Sequence, residues 1–242
     1  MQRAMCILAI SDSILRGITA RNAVYRRYRK KGKGYQRIRG NPQVLLHMSL
    51  IQLIFGGWSP SSEGLTDEQK RNIQNAVTSV NETITHILLV TGINSIRRKL
   101  FSAEACSEAK RAKRINQTAE AIYRVIRDLK SMFPNAKISY LGCSRLLTKS
   151  NMPPRMKVDE RLRDYNQDLD SLMGKLTKEF TQWKEQTYNP NKRGNKNRHC
   201  PEIFNVFSEV NDTHIWDLWG HLSPAGDILV AKAIQDYVDR SY

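Results

Sequence analysis

The chain has 242 residues, of which 40% are hydrophobic and 26% charged, the size and make-up of one globular α/β domain. Lysine and arginine number 39 against 23 aspartate and glutamate, a net charge of +16 with a pI near 9.9, which points to a polyanionic partner: RNA, single-stranded DNA or an anionic membrane surface. The N-terminal apolar run is too short for a secretory leader and nothing reaches transmembrane length, so a cytoplasmic or nuclear setting is expected.

"MCILAI" at 5–10 is wholly apolar, the pattern of a short buried strand. It stops at Ser11-Asp12-Ser13, and the stretch from 14 to about 28 reads as helix. A serine at such a junction either caps the helix or stands as a nucleophile. "VLLHMSLIQLIF" (44–55) holds a second strand in its later half. Thr66-Asp67-Glu68-Gln69 is a helix-start signal, and Ile73, Val77, Val80 and Ile84 repeat behind it at helical spacing. "HILLVTG" (86–92) is a third strand. A long helix over roughly 103–133 puts Ile115, Ala119, Ile122, Ile126 and Leu129 on one face. A turn and a fourth strand (137–141) follow, then a helix over about 158–183 and a basic loop, "NPNKRGNKNRH". "EIFNVFSEV" (202–210) is a fifth strand, and "SPAGDILVAKAIQDYV" a last helix with Ser223 as N-cap and Pro224 in its first turn.

Five β runs alternating with helices predict a parallel five-stranded sheet covered on both faces, a three-layer α/β/α sandwich. One domain is expected over 1–242, with a basic insertion around 21–43 and a basic loop around 189–200. Four cysteines (Cys6, Cys106, Cys143, Cys200) form no C-x-x-C pair, so no metal is expected. Cys6 and Cys143 lie in apolar runs, as free buried thiols do, and cysteine usage of this kind fits a reducing compartment.

In a parallel sheet, active residues collect at the carboxyl ends of strands. The first strand ends in Ser11-Asp12-Ser13, the third in Gly92-Ile93-Asn94-Ser95, and after the fifth come Asp212, His214, Asp217 and His221. Serine, asparagine, aspartate and histidine are the parts of serine acyl transfer. "ISDSILRGI", "VTGINSI" and "DLWGHLSPAGDILVAKAI" resemble three of the four blocks of the SGNH (GDSL-like) hydrolases, and "FGGWSPSSEG" resembles the remaining glycine block. The resemblance spans residues 7–238 and implies a flavodoxin-like sheet and a cofactor-free serine esterase. It implies Ser13 as nucleophile, His221 as general base, and Asp217 as the carboxylate that orients His221. It further implies an oxyanion hole from Ser13, Asn94 and Gly57, with Gly56 and Trp58 as alternative registers for Gly57. Three positions depart from the pattern. Ser11 replaces a glycine, Ser95 replaces an aspartate, and Asp217 stands one residue too far from His221. Asp212 is therefore a rival for the orienting role, and a Ser–His dyad a further alternative.

Nine of the nineteen residues 21–39 are basic: Arg21, Arg26, Arg27, Arg29, Lys30, Lys31, Lys33, Arg37 and Arg39, with Tyr25, Tyr28 and Tyr35 among them. Cations beside rings that can stack on bases suit single-stranded nucleic acid, and a solvated charge run has the same composition. Arg97 and Arg98 follow the strand end that bears Asn94. Within the family, a general similarity extends to retrotransposon-encoded esterase domains and to the RNA-binding OSK domain of Oskar. The expected function is hydrolysis of a small acyl ester, such as acetyl, through an acyl-enzyme on Ser13. The alternative is a catalytically weak or inactive module that binds RNA or another polyanion.

Overall fold

The computed structural model describes residues 5–31, 34–38, 44–80, 82–97, 107–145, 159–187, 200–215 and 220–241. In chain order the elements are β1 (Met5–Ser11), a 3-10 turn (Ser13–Gly17), β2 (Ile18–Lys31), β3 (Gly34–Ile38), β4 (Val44–Gly56), α1 (Asp67–Thr78), β5 (Thr83–Val90), α2 (Ile93–Arg97), α3 (Glu108–Met132), β6 (Lys137–Tyr140), α4 (Asp159–Thr187), β7 (Glu202–Ile203), a 3-10 turn (Asp212–His214) and α5 (Pro224–Ser241). The sheet has the order β3-β2-β4-β1-β5-β6-β7. Every pairing is parallel except that of β3 on β2, which closes an antiparallel hairpin at one edge.

Helices lie on both faces of this sheet. Ile234 of α5 packs over Ala9, Leu50, Gln52 and Leu88. The other face is marked by Tyr28 stacked on Phe55, ring centroids 5.3 Å apart, and by Arg26, which reaches Ser79 just past α1. α3 and α4 are joined by a largely buried Arg111–Asp168 ion pair at 2.8 Å and by Tyr123 against Trp183. Five central strands with helices on either side give the expected α/β sandwich.

Four expectations need correction. The stretch 14–28 is not a helix: a single 3-10 turn gives way to the long strand β2, which pairs with β4 from Ile18↔Val44 to Arg29↔Gly56. The whole of "VLLHMSLIQLIF", not its later half, is therefore strand, and among the described residues the sheet has seven strands rather than five. A thirteen-residue apolar strand offers β2 a backbone ladder and an apolar face for Tyr28, and that tertiary pairing overrides the weak helical pattern. The helix after Thr66 starts with the expected capping box but ends at Thr78, so Val80 lies in a turn and Ile84 in β5. The fifth predicted strand shrinks to Glu202–Ile203. Beyond it Phe204 and Val206 still donate to Tyr140 and Leu141, but Asn205 accepts the N–H of Phe207 and curls the chain into turns.

Candidate active site

β1 is buried to its last residue; Ser11 is fully buried and its hydroxyl has no hydrogen-bond partner. Asp12 then leaves the strand. Its N–H donates to the Val90 carbonyl (3.1 Å), and its Oδ1 accepts the N–H of Ile14 (3.0 Å), capping the 3-10 turn. The cap is thus the aspartate and not the neighbouring serine. Ser13, partly exposed, carries its Oγ 2.9 Å from Nε2 of His221. With Nε2 unprotonated, the hydroxyl donates to it, which is the contact a general base needs to take that proton.

His221 adjoins a backbone bridge just before α5. Ile215 and Leu222 form an isolated antiparallel bridge, and the Ser223 N–H donates to the His214 carbonyl (2.8 Å). Ser223 Oγ donates to the Thr213 carbonyl (3.1 Å) and accepts the Gly226 N–H (3.2 Å), so one residue both flanks the bridge and caps α5. Asp217, expected to orient His221, lies outside the described residues. Asp212 heads the 3-10 turn just ahead of this bridge and is partly buried.

The third group arrives from β5. Gly92 has φ +116, a backbone conformation that strains any L side chain, and a Cβ there would sit 3.0 Å from the Ile122 Cδ1 methyl, a tight contact. Its carbonyl accepts the N–H groups of Ser95 and Ile96, starting α2. Asn94 sits at the head of that helix, 8% exposed, and its Nδ2 donates to the Trp58 carbonyl (3.0 Å). Trp58 is buried edge-on against Phe55, at 5.7 Å. The amide of Asn94 is thereby tied to the loop after β4 that carries the exposed Gly57. Ser95, the residue after Asn94, has a buried hydroxyl without a hydrogen-bond partner.

Two groups had no role in the sequence reading. Asp227, buried in the first turn of α5, lays its carboxylate on Gly17, where a Cβ would collide with Oδ2. Burial pushes its carboxyl up to about 6, against the opposing pull of Arg16. It joins the helix behind His221 to the turn that holds Ser13, and the only hint of it in the sequence is a glycine where it packs. Tyr140 and Cys143 meet at the end of β6. The phenol donates to the Thr91 carbonyl (2.7 Å), and the sulfur lies 3.1 Å from both the phenol oxygen and that carbonyl. Burial pushes the thiol up to about 12.

Among the predicted cations, Arg21, Arg26, Arg27, Arg29, Lys30 and Lys31 fall on β2 and Arg37 on β3, while Lys33, Arg39 and Arg98 lie outside the described residues. Arg97 ends α2. Arg111 and Arg114 serve internal contacts, with Asp168 and the Ile96 carbonyl.

No protein-family model matches the chain, and no curated protein matches it in sequence. Solved structures do match. The chain is similar to an aryl esterase from M. smegmatis, at 12% identity over 98% of this chain and 99% of that one, with a TM-score of 0.53. It is also similar to a carbohydrate acetylesterase from Sinorhizobium meliloti, at 12% identity over 98% and 99%, with a TM-score of 0.52. The shared property at this identity is the fold, an α/β sandwich.

Proposed function

We propose that the chain is a serine esterase of the SGNH type that hydrolyses small acyl esters. The observation that carries this reading is the 2.9 Å contact between Ser13 Oγ and His221 Nε2, made at the carboxyl end of a parallel sheet. Ser13 Oγ attacks the ester carbonyl carbon while His221 Nε2 takes its proton. The tetrahedral oxyanion accepts hydrogen bonds from the amide of Asn94 and from the backbone N–H groups of Ser13 and Gly57. On collapse the carbon–oxygen bond to the alcohol breaks, and His221 returns the proton to the leaving alkoxide. Water then attacks the acyl-enzyme, gives its proton to His221, and displaces Ser13 Oγ, which takes that proton back. A buried Asp12 cap keeps Ser13 out of the capping role, and the Asn94–Trp58 bond holds two of the oxyanion-binding elements together.

The fold shared with an aryl esterase and a carbohydrate acetylesterase supports a small acyl group such as acetyl. The test is labelling of Ser13 by a fluorophosphonate together with turnover of 4-nitrophenyl acetate. Both are expected in the native chain and neither in Ser13→Ala; full turnover by that variant would overturn the assignment.

A second reading, a polyanion-binding module without turnover, draws on the net charge of +16 and the cationic β2–β3 hairpin. It predicts salt-steep RNA binding and a silent Ser13→Ala substitution. The Ser13–His221 contact favours the first reading, because a pure binding surface has no use for it.

A further inference from the structure

Arg26 lies on one face of the sheet, and Arg27 and Arg29 lie on the other. Tyr25 is in register with Gln52, and both reach the Ser13–Gly17 turn: the Tyr25 hydroxyl donates to the Arg16 carbonyl (3.3 Å) and Gln52 Nε2 to the Leu15 carbonyl (3.2 Å). Side chains alternate along a strand, so Arg27 and Arg29 share that face with Tyr25. Arg26 and Tyr28 take the opposite face, toward Ser79 and Phe55.

Arg27 is level with Ile54, and Ile54 with Ser11, so Arg27 lies two strand spacings, about 10 Å, across the sheet from the residue that precedes Asp12 and Ser13. Arg29 is level with Gly56, the residue before Gly57. The two arginines therefore flank the same edge of the site, one beside the Ser13 turn and one beside the Gly57 loop. Arg16, three residues past Ser13, is close enough that its charge and that of Arg27 act against the burial that raises the Tyr25 phenol.

Among the described residues no acid pairs with Arg27 or Arg29. The Arg27 Nε is buried without a hydrogen-bond partner, while Arg29 is exposed. An uncompensated buried N–H of this kind is costly unless an acceptor arrives. Two guanidinium forks on one face, one strand repeat apart, suit a tetrahedral dianion better than a single carboxylate.

We propose that Arg27 and Arg29 bind a phosphate on the alcohol portion of the ester, so that the preferred substrate is an acyl ester of a phosphorylated alcohol. This rests on the esterase reading above. The probes are glycerol phosphate acetylated on a hydroxyl and its neutral counterpart, monoacetylglycerol, compared by kcat/KM at low salt. The phosphorylated ester is preferred by about tenfold or more, the effect of a charge-assisted hydrogen bond. Arg29→Gln and the Arg27→Gln/Arg29→Gln pair bring that ratio toward one through KM, and added salt shrinks it. A ratio near one in the native chain, or one that neither variant moves, overturns the proposal. So does a pair that loses binding to phosphatidylglycerol vesicles but keeps the ratio, because the arginines then serve a membrane surface. If neither ester turns over and Ser13 resists labelling, the esterase reading fails separately. Calorimetry of glycerol phosphate with Ser13→Ala then decides the anion site. Binding that the arginine pair abolishes upholds it, and no binding removes it.

Discussion

Two nucleophile side chains stand at carboxyl ends of parallel strands on either side of β5, Ser13 after β1 and Cys143 after β6. A thiol is intrinsically the better nucleophile, but the two side chains have different surroundings. Ser13 is partly exposed and touches an imidazole nitrogen. Cys143 is buried against the Tyr140 phenol and the Thr91 carbonyl, and burial carries its thiol up to about 12. A thiolate there would also face the negative charge of Asp12. Position at a strand end is shared by both; reactivity depends on a base within reach and on access for a substrate.

The comparison can be broken most sharply at the serine. Ser13→Ala and His221→Ala should each lower kcat for acetyl ester by roughly 10³-fold or more, and the double variant should lose little beyond either single one, because the pair acts as a unit. Additive losses in the double variant would show that the 2.9 Å contact is not used. Asn94→Ala should cost on the order of a hundredfold in kcat while fluorophosphonate labelling of Ser13 persists at a reduced rate. Cys143→Ala should leave turnover within twofold and lower stability by about 1–2 kcal/mol, read from the denaturant midpoint; a large loss of kcat would make the buried thiol a participant.

Two smaller effects sharpen the contrast around Ser13. Ser11→Ala removes a buried hydroxyl that has no hydrogen-bond partner and should be neutral or stabilising by about 1 kcal/mol. Burial raises the folded Asp227 carboxyl to about 6 from an ordinary 3.8, so between these limits the folded state holds more protons than the unfolded one. Stability should therefore fall as pH rises from about 4 to 6. Asp227→Asn should flatten that slope, and an unchanged slope in the denaturant midpoint against pH would remove Asp227 as its source.

The layered α/β class was legible because the central strands are continuous apolar runs and the helices carry clean periodic faces; Ile122, Ile126 and Leu129 are all fully buried as their spacing predicts. The capping residues Thr66 and Ser223 were legible for a local reason, since each bonds a backbone N–H three residues ahead. Ser13, Asn94 and His221 could be proposed only as a set, from their order at the first, third and fifth predicted strand ends, and the structure places Ser13 Oγ beside His221 Nε2. Strand β2 was not legible, because its pattern fits a helix as well as a strand and only the ladder with β4 decides between them. Asp227 was hidden for a similar reason: nothing in "SPAGD" says that its carboxylate will rest on Gly17, more than two hundred residues earlier.

What the sequence determined by itself is whatever depends on neighbours within a few residues: caps, helical faces and the apolar strands of the sheet. Only the tertiary structure decided the rest. It turned a basic run into an edge hairpin, gave the capping role to Asp12, and brought a hydroxyl and an imidazole 208 residues apart to 2.9 Å. Contacts of that range are set by how strands order themselves in the sheet, and that order is fixed by pairing energies between segments that no local pattern encodes.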